Sequence, residues 1–408
     1  MMNNRIGKIS CENNKPKHFW HTVLFVWVYF ATFLIFHAIP IVYDDLFRIY
    51  FSFVQIFGLA ILAMRVKLIP LTRLNRPGLF LASLLFGKTV ISLAEGFQHY
   101  YDYLLPVFGF VGYVYSLTIR LEWRVFIGFY FLQVVYFLVE YYSKLPHLFF
   151  RPGFDEDAVI FDRASSNCVS ICLNFTIISI LHYDYYSAWG IKRFALILSL
   201  LNLVLVFIQQ SRVGIIVAWL MVVLAAIRAG IAFRRVIFSN IFILCIIFAF
   251  RGIDYVQILG ESIGDISAAA YFDDIRSEAV KNFFVRINNF SQFLLGPGMS
   301  EVEISESEYI GYSYNSFIDV WSRYTFIGFS LLLINFSLTT LKGIWCRENY
   351  RFFLLTPILF YSLFESLYFP NFWDAIIFSI IFISDLSVNN IQGKAPRQQI
   401  VLLDNGEV

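Results

Sequence analysis

Charge is what this sequence has least of. Asp, Glu, Lys and Arg make up 15% of its 408 residues, against about 25% in an average soluble domain. Hydrophobic residues make up 59% and the mean hydropathy is +0.67. So little polar surface excludes a soluble globular protein, and the chain must meet lipid. An excess of one sign is also missing. The net charge of +2 offers nothing to a polyanion, so no nucleic-acid partner is expected. Cysteine is sparse and never spaced as CxxC: Cys11 lies in the N-terminal tail, and Cys168, Cys172, Cys245 and Cys346 lie in or beside apolar runs. They read as free, lipid-buried thiols rather than a disulfide framework or a zinc site. The six histidines, His18, His21, His37, His99, His147 and His182, show no ligand spacing. The run Asp155, Glu156, Asp157 reads as a solvated loop before it reads as a calcium site. No metal or other cofactor is called for. With no internal repeat and no Pro-rich linker, residues 1–408 are expected to form a single integral membrane domain.

Apolar runs long enough to approach a membrane span recur near residues 20–39, 47–64, 78–94, 104–119, 125–142, 167–182, 194–210, 213–227, 236–250, 324–341, 352–368 and 374–388. The first follows a basic tail and has no small-residue cleavage site, so it reads as an uncleaved helix rather than a signal peptide. The expected fold is therefore all-α, a polytopic transmembrane helical bundle of about twelve spans with both termini cytoplasmic. Basic residues agree with that count. Arg65, Lys67, Arg73 and Arg76, then Arg120 and Arg124, Lys192 and Arg193, Arg228, Arg234 and Arg235, and Lys342, Arg347 and Arg351 all fall in the even connections. With the tails these sites hold 20 of the 31 Lys and Arg, as short cytoplasmic loops do. Tyr100, Tyr101, Tyr103, Tyr141 and Tyr142 suit the outer headgroup level, and Trp20 and Trp123 the inner one.

Two outward loops are long, residues 143–166 and a periplasmic loop over 251–323, and long loops usually carry function. Within the larger one, Val280, Phe283, Ile287 and Phe290 recur at helical spacing, which predicts an amphipathic helix over Ile275–Phe290 lying along the outer membrane surface. On that helix Arg276 falls on the apolar stripe, while Glu278 and Lys281 fall on the wet side. Such an arginine either snorkels to headgroups or seeks an anion. Gln209, Gln210, Ser211, Arg212, Val213 and Gly214 make an outward hairpin, with Arg212 at the edge of the hydrocarbon as an anchor or as half of a charge pair. Gly296, Pro297, Gly298 and Met299 read as a loop turn whose glycines also permit close approach of a substrate. An acidic stretch (Glu301, Glu303, Glu306, Glu308) then leads to Tyr314, Asn315, Ser316, Phe317, Arg323 and Gly328. Lys88 lies within a span, as a binding charge or as a helix-helix partner for an acid.

Ser211-Arg212-Val213-Gly214 opening a span, Arg276 some twenty residues before Leu295-Gly296-Pro297-Gly298, and Tyr314-Asn315 ahead of Gly328 together resemble the bacterial O-antigen polymerase and O-antigen ligase superfamily. The likeness covers about 195–340, and the first half matches only as a succession of helices. It implies a GT-C-like membrane glycosyltransferase of the bacterial inner membrane, acting without a metal on sugar chains carried by undecaprenyl pyrophosphate at the periplasmic face. A chain-length regulator would be a possible partner besides membrane lipid. The resemblance assigns Arg212 and Arg276 to pyrophosphate binding and leaving-group stabilisation, since planar guanidinium forks hold such oxygens bidentately. Arg286 and Arg323 are helpers, and Ser211, Gly296, Gly298 and Glu301 line the substrate. Ligases of this superfamily place a His-Asn pair where this chain has Tyr314-Asn315, and neutral tyrosine, with a pKa of ~10, is a poor base. A repeat-unit polymerase is therefore expected, with the base open among Asp273, Asp274, Glu301 and Asp319. The alternatives are an O-antigen ligase acting on lipid A core and a flippase for lipid-linked oligosaccharide.

Overall fold

The structure is a computed structural model describing residues 15–31, 75–95, 101–118, 121–142, 166–185, 192–208, 212–231, 280–297, 302–305, 308–310, 315–345, 349–364 and 374–382, with the single helical positions 56, 60 and 64. The expected spans over 47–64, apart from those three positions, and over 236–250 lie outside the described residues. Elsewhere the described part of each apolar run is a helix. In chain order these are α1 (Lys15–Val26, passing into a π-turn Trp27–Ala31), α2 (Asn75–Glu95), α3 (Tyr101–Thr118), α4 (Trp123–Tyr142), α5 (Ser166–Tyr185), α6 (Lys192–Ile208) and α7 (Arg212–Arg228). The short α8 (Phe290–Leu295) follows, then α9 (Ser316–Trp345), α10 (Asn349–Phe364) and α11 (Asp374–Phe382). Among the described residues the fold is all-α apart from one hairpin, Val302–Ser305 with Glu308–Ile310, paired antiparallel with an irregularity between Glu303 and Ser305. Two helices, Asn75–Leu93 and Ser316–Leu341, are long and apolar enough to cross a membrane, and six shorter apolar helices accompany them.

The distribution of polarity is inside out. Leu79, Phe86 and Leu93, seven residues apart on α2, are 64%, 62% and 73% exposed, and Leu132, Val135 and Val139 form a similar outer stripe on α4. Meanwhile Thr22, Lys88, Gln133, Asn174, Thr176, Asn202, Asp319, Thr339 and Asp374 are buried. A water-soluble monomer rarely exposes apolar stripes of that length. In lipid the arrangement is the natural one, because apolar faces cost nothing outside and polar side chains find partners only in the interior.

Interhelical contacts then fix how the helices run. At one end Arg76 Nη2 donates to Asn335 Oδ1 (3.1 Å), and Thr339 Oγ1 donates to the Ile381 carbonyl (2.8 Å). The Ser116 and Ser379 hydroxyls lie 3.0 Å apart, and His21 Nδ1 lies 2.8 Å from the Tyr115 hydroxyl. The Glu122 amide donates to Thr22 Oγ1 (2.9 Å), Phe126 stacks on Tyr183 at 5.2 Å, and Arg228 Nη1 donates to the Leu181 carbonyl (2.9 Å). This unbroken series joins the starts of α1, α2 and α4 to the ends of α3, α5, α7, α9 and α11. From α2 to α7 consecutive helices therefore alternate in direction, whereas α1 and α2 start at the same end, as α7 and α9 finish there. Arg76, Arg124 and Arg228 gather at this end, and Lys192 and Arg193 open α6, which packs along α7.

Two expectations need correction. The loop does not run to 323: α9 begins at Ser316, so Asp319 and Arg323 ride on a helix of the bundle. Non-helical dihedrals at Tyr324 (φ −132°, ψ 19°) and Thr325 (φ 65°, ψ 168°) divide α9 there; the apolar run alone suggested a span starting at 324 because Asp319 and Arg323 interrupt it just before. The single amphipathic helix over 275–290 is also not formed as such. Among the described residues, 280–285 are helical, the backbone then leaves the helix, and α8 restarts at Phe290. The cause is local. Asn289 caps α8 by accepting from the Gln292 amide (2.8 Å), while Gln292 Oε1 accepts from the Asn288 amide (2.9 Å), a reciprocal pair close to a capping box. Phe283 is buried, with Val280 and Ile287 packed around it, but Phe290 is 74% exposed and belongs to no apolar stripe.

Small residues let the helices approach. A Cβ at Gly112 of α3 would overlap the Tyr29 ring and the Ala375 side chain of α11, whereas Gly128 of α4 has nothing within 4 Å. Gly112→Val is expected to lower unfolding stability in detergent by about 1–3 kcal/mol, and Gly128→Ala to leave the melting temperature within experimental scatter.

Candidate functional site

The end of the bundle opposite the basic cluster is where the chemistry-bearing residues meet. Here α2 and α9 run antiparallel: Arg76 pairs with Asn335, Leu84 lies against Gly328, and Gly87 lies against Tyr324 and Thr325. A Cβ at Gly87 would run into the Tyr324 carbonyl, so the broken turn of α9 sits directly on the α2 backbone. Thr325 adopts a left-handed φ that a β-branched residue rarely takes, at a cost of order 1–3 kcal/mol that the surrounding contacts must offset. Its Oγ1 is buried and has no hydrogen-bond partner among the described residues. Beside the break lie buried Lys88 and Ser92, one turn apart on α2, and buried Asp319 and Ser322 on α9. Tyr103 of α3 donates to Ser92 Oγ (3.0 Å), and Ser322 Oγ donates to the Asp319 carbonyl (3.1 Å).

The loop docks onto this place. Trp321 Nε1 of α9 donates to the Phe293 carbonyl of α8 (2.8 Å), and the Trp321 ring meets Phe283, Phe293 and Phe326 at 5.4, 5.3 and 5.1 Å. Gly296, at φ 87°, then passes so close to α9 that a Cβ would come within 2.8 Å of the Trp321 carbonyl and 2.9 Å of Ser322 Cα. Both reasons for glycine, the backbone conformation and the close approach, hold at this one position. The anticipated substrate-lining Gly296 thus serves packing between loop and bundle.

Asn315 lies at the start of α9 and bonds the backbone on both sides of its amide. Its Oδ1 accepts from the Phe317 and Ile318 amides (3.0 and 3.2 Å), and its Nδ2 donates to the Leu363 carbonyl of α10 (3.2 Å). That is the geometry of an N-cap that also ties α9 to α10. Arg323 is half-buried, one residue before the break, and Arg286 is half-buried where the 280–285 helix ends. Arg212 opens α7 as expected, with its backbone but not its side chain among the described residues. Ser211, Arg276, Gly298, Glu301 and Tyr314 lie outside the described residues, as do the alternative bases Asp273 and Asp274. Among the described residues no group of three or more His, Cys, Asp or Glu is placed to hold a metal ion.

Contacts nevertheless relate α7 to α9. Gly214, in the first turn of α7, shares the Asn174 side chain with Tyr361 of α10, and two residues beyond Tyr361 the Leu363 carbonyl takes the Asn315 bond. The first turns of α7 and α9 therefore border the same end of α10. Sequence reasoning passed over Asn174, Asn202, Ser92 and Thr325. Their only signal was a lone polar residue inside an apolar run, which does not say what it faces.

No protein-family model matches the chain, and no curated protein matches it by sequence.

Replacing Gly296 by Ala is expected to loosen the docked loop by about 1–3 kcal/mol, seen as faster limited proteolysis within 280–297. Phe290→Ala, on an exposed ring, should leave the cleavage rate unchanged.

Proposed function

We propose that this protein is a bacterial inner-membrane glycosyltransferase, a repeat-unit polymerase that moves a growing glycan from undecaprenyl pyrophosphate onto a lipid-linked repeat unit at the periplasmic face. In this reading the bundle has about twelve spans, both termini are cytoplasmic, and the loop ending at Asn315 is periplasmic. One observation supports it most: the first turn of α7, headed by Arg212, and the start of α9, about two turns ahead of Arg323, border one end of α10, away from the basic cluster. Amides in the first turn of α7 and guanidinium groups at the edge of the hydrocarbon suit a pyrophosphate, whose charge grows as the sugar-oxygen bond breaks. Donor binding is then the work of Arg212, Arg276, Arg286 and Arg323. Asp319 is the candidate base that lies among the described residues; it is buried on α9 beside the break. Asn315 contributes by capping α9 and leaves proton transfer to another group.

A flippase for lipid-linked oligosaccharide is the second reading, favoured by a specific observation: α9 is broken at Tyr324–Thr325 next to buried Lys88 and Asp319. Interrupted helices and charges inside a bundle are what a transporter uses at its binding site.

Glycan profiles separate the readings. Arg212→Ala or Arg323→Ala, at normal protein level, is expected to leave surface glycans carrying one repeat unit in place of long ladders. Loss of glycan from the core altogether would indicate a ligase. Accumulation of lipid-linked units on the cytoplasmic side would indicate a flippase, and unaltered ladders would overturn both enzyme readings. For orientation, alkaline phosphatase fused after Asn282 is expected to be active, and after Arg193 inactive.

A further inference from the structure

Four helices, α5, α6, α7 and α10, meet at Asn174, whose side chain is wholly buried. Its Nδ2 donates to the Gly214 carbonyl in the first turn of α7 (3.0 Å) and to the Tyr361 hydroxyl of α10 (2.6 Å). Its Oδ1 accepts from Asn202 Nδ2 of α6 (2.6 Å). These directions are forced. A main-chain carbonyl only accepts, so the amide nitrogen of Asn174 must face α7 and its oxygen must face α6. Asn202 must then turn its own nitrogen inward, and its Oδ1 has no hydrogen-bond partner among the described residues.

An apolar side chain of similar volume would hold these helices together as well. What it lacks is direction: a bond to one particular carbonyl specifies the rotation and depth of α7, whereas apolar packing tolerates sliding. Gly214 lies two residues after Arg212, and Tyr361 lies two residues before Leu363, which holds Asn315. We propose that Asn174 is a positioning residue that sets the first turn of α7, and with it Arg212, against the end of α10 to which the start of α9 is also tied. The transferase reading enters only through the consequence for activity.

The test uses the full-length protein in lipid nanodiscs, with nitroxide labels on cysteines placed at Arg212 and at exposed Val139 of α4, and with Cys11, Cys168, Cys245 and Cys346 changed to serine. The label-to-label distance distribution is measured by pulsed electron paramagnetic resonance. Asn174→Leu is expected to shift or widen it by about 1 Å or more, the scale on which misplacement costs on the order of a hundredfold in rate. Asn202→Leu also removes a buried hydrogen bond but spares the Gly214 bond, so it should leave the distribution narrow. An unchanged distribution in Asn174→Leu, or equal widening in both variants, would overturn the proposal, the second because it marks general loosening. Should Asn174→Leu fail to accumulate, Asn174→Ser, too short to reach Gly214, is measured in its place with the same reading. In cells, with Arg212 present, Asn174→Leu should reduce long glycans by about tenfold or more, with Asn202→Leu near wild type. Widened distances with unaltered glycans would leave the positioning role standing and remove the transferase reading.

Discussion

The structure depends on one constraint: a side-chain amide within these helices is drawn inward, as Gln133, Asn174, Asn202 and Asn335 are. Where the outer faces carry Leu79, Phe86, Leu93, Leu132 and Val139, an amide turned outward would meet hydrocarbon and lose its hydrogen bonds, whereas a hydroxyl such as that of Thr89 can fall back on a carbonyl of its own helix. Turned inward, an amide finds partners on neighbouring helices. Gln133 reaches Cys172, and its Oε1 takes the Thr176 hydroxyl; Asn174 gathers Asn202, Tyr361 and Gly214. Each such bond contributes little, on average about 0.6 kcal/mol in membrane proteins. Their value lies in direction, because a hydrogen bond selects one register among many that apolar packing would accept.

The same constraint explains why the two ends of the bundle differ. At the basic end charged side chains near helix ends tie neighbouring helices, Arg76 to Asn335 and Arg228 to the Leu181 carbonyl. At the other end the polar groups are drawn deeper and the backbone itself departs from helix. Thr325 is held at a costly φ, and Gly87 and Gly296 leave room for α2 and the loop to close on it. Trp321 joins these parts, with its ring among Phe283, Phe293 and Phe326 and its indole nitrogen bonded to the loop backbone. A strained turn between two close-approaching glycines thus has buried Lys88 and Asp319 beside it.

Much of the bundle was legible in the sequence, and the reason is simple physics. A run of apolar residues as long as α4 or α5 has few options other than helix in lipid, so the existence of each described helix except α8 followed from composition. The alternation of direction followed from the placement of Arg76, Arg124, Lys192 and Arg228. Helix ends were read less well. The break at Tyr324–Thr325 carries no Pro or Gly of its own, and the glycine that permits it, Gly87, lies more than two hundred residues away on α2. Asn289 capping α8 was readable as an Asn three residues before Gln292, yet the apolar spacing of Val280, Phe283, Ile287 and Phe290 masked it. Asn315, picked for chemistry, also serves as a cap and a helix tie, which the sequence did not signal.

By itself, then, the sequence determined that the described chain is helical and apolar outside, and that Arg76, Arg124, Lys192 and Arg228 share one end, because these are properties of local composition and of charge counted between runs. Tertiary structure alone decided which helices face each other, where α9 breaks, and that Asn174 rather than a charged residue holds α7 to α10. Those outcomes depend on register between segments far apart in the chain, and register is set by a few directional contacts whose partners no local window contains.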